Sequence, residues 1–296
     1  MRFGLTTPIV TLVPGAHAPW EQSARPADLR LIAETADRLG YHHLSCSEHV
    51  AIPAAVAGIR GGRYYDPAAT LGFFAACTSR IRLLTHVLVL PYHHPLSIAK
   101  RFGTLDVLSG GRVILGVGVG SLEEEFGLLG ADFNGRGPRF EDALRALRAA
   151  LGQAQPRYAG THYRFEELIV DPAAIQPHLP LWLGGRSRRS LRRALWLADG
   201  WDPFRYTVDE LEQILPRARD WPEWRDRELP FDLVLTPERP FDLTTPAGFD
   251  AANKTAARYR ALGASVLNLR FRSDTLAGWL EQIEVFAERV ASNFAG

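Results

Sequence analysis

A glutamate and a histidine stand side by side just after a short apolar run. Glu48 and His49 follow directly after residues 43–47, which read as a β-strand. An imidazole accepts or donates a proton near neutral pH, and a neighbouring carboxylate can orient the groups around it. The pair therefore predicts a general acid–base site, with a structural histidine held by a loop carbonyl as the alternative.

A glycine turn farther along the chain has the composition of an anion site. Gly184 and Gly185 close the apolar run 180–184, and Arg186 and Ser187 lead into a basic helix from about residue 191. Glycine backbone amides, a hydroxyl, a guanidinium and a helix start together suit a phosphate. We expect phosphate binding here; a plain glycine turn before a solvated basic helix is the alternative.

Three alternate glycines, Gly116, Gly118 and Gly120, close another predicted strand. Residues without side chains at a strand exit let a flat molecule approach the backbone. Gly118 and Gly120 are therefore predicted to bind a cofactor, and so is Gly184 at the glycine turn described above. The spacing lacks the third glycine of Gly-x-Gly-x-x-Gly, which disfavours a nicotinamide cofactor on a Rossmann domain.

The histidine pairs at 42–43 and 93–94 do not predict a metal site. Neighbouring residues on an extended strand point to opposite faces, so neither pair can chelate one ion in that conformation. The chain also lacks His-Glu-x-x-His. We expect no catalytic metal.

Strand and helix patterns that would position these residues alternate about eight times. Apolar β-branched runs predict the strands and amphipathic periodicity predicts the helices. The predicted strands are 3–7, 43–47, 82–88, 112–117, 180–184, 200–203, 231–235 and 265–270, and the predicted helices are 26–39, 67–78, 95–108, 140–152, 191–198, 209–218, 251–262 and 276–291. The α/β alternation matches a (β/α)₈ TIM barrel, whose active sites lie beyond the carboxyl ends of the strands. An open doubly wound sheet is the alternative.

Composition sets broad limits on the class of protein. The 296 residues, 46% of them hydrophobic, suit one domain over 1–296, and a formal charge of +1 provides no basic field for nucleic acid. Two cysteines inside apolar segments and an N-terminus without a secretory pattern predict a cytoplasmic protein. No apolar stretch reaches the roughly 18 residues that span a bilayer, so we expect no membrane association.

Several segments together resemble the bacterial-luciferase-like superfamily, in particular its deazaflavin (F420)-dependent oxidoreductases. The resembling segments are Ser47-Glu48-His49, Asp66-Pro67, residues 78–83, His94-Pro95, Ala99-Lys100, Thr104-Leu105-Asp106, residues 108–112, residues 115–118, Glu124-Glu125-Phe126, residues 183–185 and Ala198-Asp199-Gly200-Trp201. They occur in the family's order as far as Trp201. Beyond that residue the resemblance is architectural.

The resemblance implies a luciferase-like TIM barrel with loop insertions, holding F420 or, alternatively, FMN across its mouth. The phosphate is expected near Gly185, Arg186 and Ser187. A non-proline cis peptide is expected at His86-Val87, where a bulge lies behind the tricyclic ring. His86 is larger than the small residue common at that position in the family.

By the same resemblance, Glu48 and His49 lie beside the reactive carbon of the cofactor. The expected function is hydride transfer between F420 and a small organic substrate, with His49 exchanging the proton. An FMNH2-dependent two-component monooxygenase and a non-catalytic flavin-binding protein are the alternatives.

The glycine-containing segment 51–65 is expected to cover the substrate side of the mouth. Arg63, Tyr64 and Tyr65 at its end are the candidate substrate contacts. Relatives often pair through helices on one side of the barrel, and the apolar helix 67–76 suits such a contact. We therefore expect a homodimer acting on a small molecule.

Overall fold

Eight parallel strands close into a barrel in the computed structural model, which describes residues 1–294. The strands are β1 (Arg2–Leu5), β2 (His43–Cys46), β3 (Arg82–Val89), β4 (Val113–Gly118), β5 (Leu181–Gly185), β6 (Gly200–Pro203), β7 (Asp232–Leu235) and β8 (Val266–Leu269). Consecutive strands pair all the way round, and β8 pairs with β1 through Arg2 and Val266. The predicted barrel is confirmed and the open sheet is excluded.

One long helix follows each strand. The helices are α1 (Pro26–Arg38), α2 (Pro67–Cys77), α3 (Pro95–Ser109), α4 (Arg136–Ala150), α5 (Arg188–Leu197), α6 (Val208–Arg219), α7 (Pro246–Ala261) and α8 (Leu276–Arg289). The Asp66 carboxylate caps α2 by accepting from the Ala69 N–H at 2.8 Å, as the Asp-Pro pair predicts. Helix α7 begins five residues before its predicted start because the Thr245 hydroxyl caps it at Gly248.

Short elements inserted between the barrel strands and helices escape the sequence prediction. They are the helices Pro19–Gln22, Ala57–Arg60, Glu123–Leu128 and Pro222–Arg225, and two antiparallel strand pairs, Thr11–Leu12 with Arg63–Tyr64 and Tyr158–Ala159 with Arg164–Phe165. A helix of four to six residues is too short to show a full hydrophobic period. The segment 51–65 is thus partly helical, and its end pairs with the loop after β1.

The barrel interior is packed at its N-terminal end and open at the other. Five side chains, one from each of five strands, fill the lower interior: Leu84, Ile114, Trp182, Val234 and Val266. A larger apolar core lies between the strands and the surrounding helices. Since the lower interior is filled, a ligand site within the barrel lies at the carboxyl ends of the strands.

Candidate active site

A cavity of about 720 Å³ occupies the mouth of the barrel. Ten of the thirteen predicted site residues line it: Glu48, His49, Tyr64, His86, Val87, Gly118, Gly120, Gly184, Gly185 and Arg186. They come from segments as far apart as 48 and 186, so barrel closure brings them together.

Arg63, Tyr65 and Ser187 do not line the cavity. Neighbouring residues on a strand point to opposite sides, so Tyr64 faces the cavity while Arg63 donates to two backbone carbonyls of the 21–22 segment and Tyr65 packs against the core. The Ser187 hydroxyl accepts the Ser190 N–H at 3.0 Å and so caps α5. These three residues support the surrounding backbone, the core and a helix cap.

His49 is paired with a carboxylate that lies 76 residues away in the sequence. Its Nδ1 is 2.6 Å from Oε2 of Glu125, and its ring packs edge-on against Tyr64 with centroids 4.5 Å apart. The His49 side chain is 17% exposed, whereas that of Glu125 is fully buried. Because Nδ1 is engaged, Nε2 is the ring nitrogen that remains for a ligand.

Glu125 accepts hydrogen bonds from two segments, residues 49–51 and Tyr92. Besides His49, it accepts from the Val50 N–H at 2.6 Å, the Ala51 N–H at 3.2 Å and the Tyr92 hydroxyl at 2.9 Å. Burial would raise the pKa of Glu125, but these hydrogen bonds and the His49 charge lower it overall. The carboxylate is therefore ionised and ready to stabilise a charged imidazole.

Sequence reasoning missed the role of Glu125. The Glu124-Glu125-Phe126 segment belongs to the family resemblance, but no spacing indicates contact with His49. The residue sits on the short helix Glu123–Leu128, which also escaped prediction.

Glu48 does not contact the imidazole beside it in the sequence. It accepts the Val89 N–H at 2.7 Å and lies 2.8 Å from Nε2 of His93. The side chains of Glu48 and His49 have different partners, so the oriented acid–base pair is His49 with Glu125. Glu48 and His93 instead tie the exit of β2 to the loop after β3.

The floor of the cavity is shaped by an irregularity in β3. The peptide bond His86-Val87 is cis, as expected from the resemblance, and the register against β4 shifts between Thr85 and Leu88. A Cβ added to Gly118 would lie 2.7 Å from one methyl of Val87, and one added to Gly184 would lie 2.9 Å from the other. These glycines make room for the Val87 side chain and not directly for a ligand. Val87 itself faces the cavity.

We expect Gly118→Ala to destabilise the protein by about 1–3 kcal/mol, because the χ1 angle of Val87 is stiff and the added methyl overpacks it. Chemical denaturation measures the change. A double variant that also carries Val87→Ala should lose less stability than the sum of the two single losses. Gly127→Ala is the control, since its Cβ would meet no atom within 4 Å. If the stability losses of the two single variants simply add in the double variant, Val87 is not the side chain that the added methyl overpacks.

Another histidine–carboxylate pair lies on the cavity floor. Nε2 of His86 is 3.1 Å from Oδ2 of Asp202, the residue before the last one of β6. Asp202 was not predicted, although it stands at a strand exit as Glu48 and His49 do. Arg270, at the exit of β8, lines the cavity as well and was missed for the same reason.

The lining fits a flat, phosphorylated, hydrogen-bonding molecule. Three buried polar atoms of lining residues have no well-aligned protein partner among residues 1–294: Oγ1 of Thr11, Oδ2 of Asp202 and Nε of Arg270. Gly185 and Arg186 stand just before α5, and the N–H groups that open a helix suit an anion. The apolar part of the wall includes Val87, Phe271 and Trp279, among others.

Neither a metal cluster nor a membrane span is found within the described chain. Residues 1–294 contain no group of three or more His, Cys, Asp or Glu side chains placed to hold a metal ion. None of the helices in this range is long and apolar enough to cross a membrane.

The chain belongs to the luciferase-like monooxygenase family, which matches residues 1–241. It is accordingly a luciferase-like oxidoreductase or monooxygenase.

Similar proteins include monooxygenases and a coenzyme F420 dependent reductase. The 4-hydroxyprotoasukamycin monooxygenase of Streptomyces nodosus subsp. asukaensis is 39% identical over 129 residues, 44% of this chain and 33% of that protein. The monooxygenase RslO1 from Streptomyces bottropensis superposes with a TM-score of 0.79 at 20% identity, covering 100% of both chains. The coenzyme F420 dependent tetrahydromethanopterin reductase from Methanopyrus kandleri superposes with a TM-score of 0.72 at 14% identity, covering 99% of both chains.

Proposed function

We propose that the protein transfers a hydride between coenzyme F420 and a small organic substrate, with His49 holding the proton that accompanies the hydride. The observation that carries the proposal is the His49–Glu125 pair at the cavity wall, 2.6 Å apart. A base oriented by a buried carboxylate is the arrangement that proton exchange with a bound hydroxyl or carbonyl requires.

The residues around His49 prepare it for this task. In the oxidative direction Nε2 takes the proton of a substrate hydroxyl, and in the reductive direction it returns the proton to a carbonyl oxygen. Glu125 stabilises the resulting imidazolium, and the Tyr64 ring restricts its orientation. F420, when bound, supplies or accepts the hydride.

The positive charge at the start of α5 supports F420 over FMN. Gly185 and Arg186 lead into α5, which opens with the exposed Arg188 and Arg189. FMN ends in a single phosphate, whereas the F420 side chain carries a phosphodiester followed by glutamate carboxylates. Arg186 lines the cavity and further cations follow it directly in the chain, which suits the longer, more negatively charged side chain of F420.

An FMNH2-dependent monooxygenase is the second candidate. Sequence similarity to 4-hydroxyprotoasukamycin monooxygenase favours it, because that identity is the highest among the relatives described above. The cavity would then serve reduced FMN and oxygen, and His49 would act on the substrate during oxygen insertion. A purely storage role is disfavoured, because storing a flavin requires no acid–base pair.

Parallel assays distinguish the candidates. Under anaerobic conditions, oxidised F420 with a panel of secondary alcohols should lose its visible absorbance in the presence of wild-type protein. In the second assay, reduced FMN and isotopically labelled oxygen are supplied with aromatic substrates. Label in the product together with inert F420 would establish the monooxygenase instead, and inactivity in both assays despite tight cofactor binding would favour storage.

A further inference from the structure

A row of polar side chains runs through the barrel interior, from the N-terminal ends of the strands to the floor of the cavity. Its members are Arg2, His42, His43, Asn268, Asp202 and His86. Asp202, His43 and Asn268 are buried, in an interior otherwise filled by apolar side chains. Burying a polar group is costly unless a hydrogen-bond partner satisfies it, so each member of the row is expected to have such a partner.

The contacts are continuous. Nδ2 of Asn268 donates to Oδ1 of Asp202 at 3.2 Å, and Oδ1 of Asn268 is 2.8 Å from Nε2 of His43. The Nδ1 atoms of His43 and His42 are 2.9 Å apart, and NH1 of Arg2 is 3.3 Å from Nε2 of His42. Arg2 also pairs with Asp232 at the outer end.

Donor and acceptor chemistry gives the row one direction. Asp202 as a carboxylate only accepts, so the amide of Asn268 presents nitrogen to it and oxygen to His43. His43 therefore carries its proton on Nε2 and accepts at Nδ1, which requires His42 to carry its proton on Nδ1. Arg2, which only donates, completes the row at Nε2 of His42. Every hydrogen bond thus points toward Asp202.

This direction requires both histidines of the row to be neutral, and their surroundings keep them so. Burial, followed by the charges of Arg2 and Arg82, lowers the pKa of His42 to about 3. Burial, followed by its histidine neighbours, lowers the pKa of His43 well below its usual value.

The fold leaves dedicated space for the row. A Cβ on Gly4 would lie 2.0 Å from the His43 ring, so β1 carries glycine where that ring crosses. The Trp182 indole stacks on His42 with centroids 6.0 Å apart and meets His43 edge-on. Such shaping is what a specified polar network requires within a packed core.

The inner end of the row reaches the cavity. Asn268 occupies Oδ1 of Asp202, so the other carboxylate oxygen, Oδ2, faces Nε2 of His86 at 3.1 Å. The approach is not a well-aligned hydrogen bond, so attraction between charges dominates it. The His86 side chain is 20% exposed and lines the cavity, and its Nδ1 has no partner among the described residues.

We propose that His86 and Asp202 form a second proton-holding pair, on the cavity floor and separate from His49 and Glu125, with Asn268 and His43 as positioning residues for Asp202. Its ligand class is a molecule that presents a carbonyl or carboxylate oxygen to Nδ1 of His86. The proposal goes beyond the proposed hydride transfer and holds for either cofactor. In a transfer from this pair, the N–H bond at Nδ1 breaks and an O–H bond forms. The neutral imidazole that remains keeps its Nε2 proton toward Asp202.

The charged groups that face His86 support this assignment. Burial would lower the pKa of His86, but the charge of Asp202 and its contact raise it overall, while Arg270 across the barrel opposes that rise. His43 is the other titratable group close to His86, and it is neutral. Asp202 is thus the group on which the charged form of His86 depends.

Nitrogen NMR of histidine-labelled protein without cofactor tests the proposal, with signals assigned from His86→Gln and His43→Gln. In wild type, His86 should titrate above free imidazole, with His43 in the Nε2–H form and His42 in the less common Nδ1–H form. In Asp202→Asn, which preserves shape but removes the charge, the His86 midpoint should fall. Glu125→Gln is the matched control and should leave it unchanged. Benzoate, as a carboxylate probe, should shift the His86 signals of wild type more than those of Asp202→Asn.

A wild-type midpoint at or below that of free imidazole, or an Nε2–H form of His42, overturns the proposal even if a variant fails to fold. An unchanged midpoint in folded Asp202→Asn does the same. If benzoate does not shift the His86 signals, the proposed class of ligand is wrong. None of these results depends on hydride transfer, so failure here and failure of the proposed function remain distinguishable.

Discussion

His49→Ala should lower turnover by about 10²–10⁴-fold while leaving cofactor binding within a few-fold of wild type. The His49 imidazole lies at the cavity wall 2.6 Å from a buried carboxylate, and alanine removes the proton carrier without filling the cavity. Steady-state rates with a substrate found in the alcohol panel, combined with a cofactor titration, measure both quantities.

His17→Ala is the matched control for this substitution. His17 lines the same cavity, but its partners are the Val13 carbonyl and the Gln22 side chain, so it lacks an acidic partner. Its loss should change turnover less than about tenfold, well below the range expected for a general base. Equal losses in the two variants would show that cavity shape, and not proton exchange at His49, limits the rate.

Glu125→Ala should lower the free energy of unfolding by about 3 kcal/mol or more, since it leaves buried donors without an acceptor. The donors come from Val50, Ala51 and Tyr92, so the segment after β2 and the loop after β3 both lose an anchor. Urea denaturation at neutral pH measures the loss. Glu124→Ala, at the exposed neighbouring position, should change stability by less than about 0.5 kcal/mol.

The contribution of Glu125 should also depend on pH in a defined direction. Its pKa is lower in the folded protein than in the unfolded chain, because hydrogen bonds and the His49 charge outweigh burial. The stabilisation is therefore fully present above the unfolded pKa and is lost as the pH falls through the folded one. In a plot of the free energy of unfolding against pH, Glu125→Gln should lose less stability toward acid pH than wild type. An identical loss in both proteins would refute this assignment.

The barrel could be predicted from the sequence because its elements are local and strongly patterned. Strand β6 matches its predicted bounds, and α2 begins at the predicted Asp66-Pro67 cap, since each depends on residues next to it in the chain. The positions of Glu48 and His49 at a strand exit followed from the same reasoning.

Partnerships across the barrel could not be predicted in this way. Glu125 reaches His49 from a six-residue helix too short to show a period, and Asp202 reaches His86 from a strand on another side of the barrel. The alternate glycines indicated that another group approaches the backbone closely at Gly118, but they did not identify that group. In the structure the Val87 side chain fills that space. Closure of the barrel decides these contacts, and local sequence does not encode them.

Fluorescence titration of the cofactor-free protein with F420 and with FMN tests the proposed function most directly, with Arg186→Ala beside wild type. We expect F420 to bind with a Kd of about 1 µM or below and FMN at least about tenfold more weakly, a difference of roughly 1.4 kcal/mol. Arg186→Ala should weaken F420 binding more than FMN binding. Tight FMN binding with no measurable binding of F420 would contradict the account and identify a flavin enzyme.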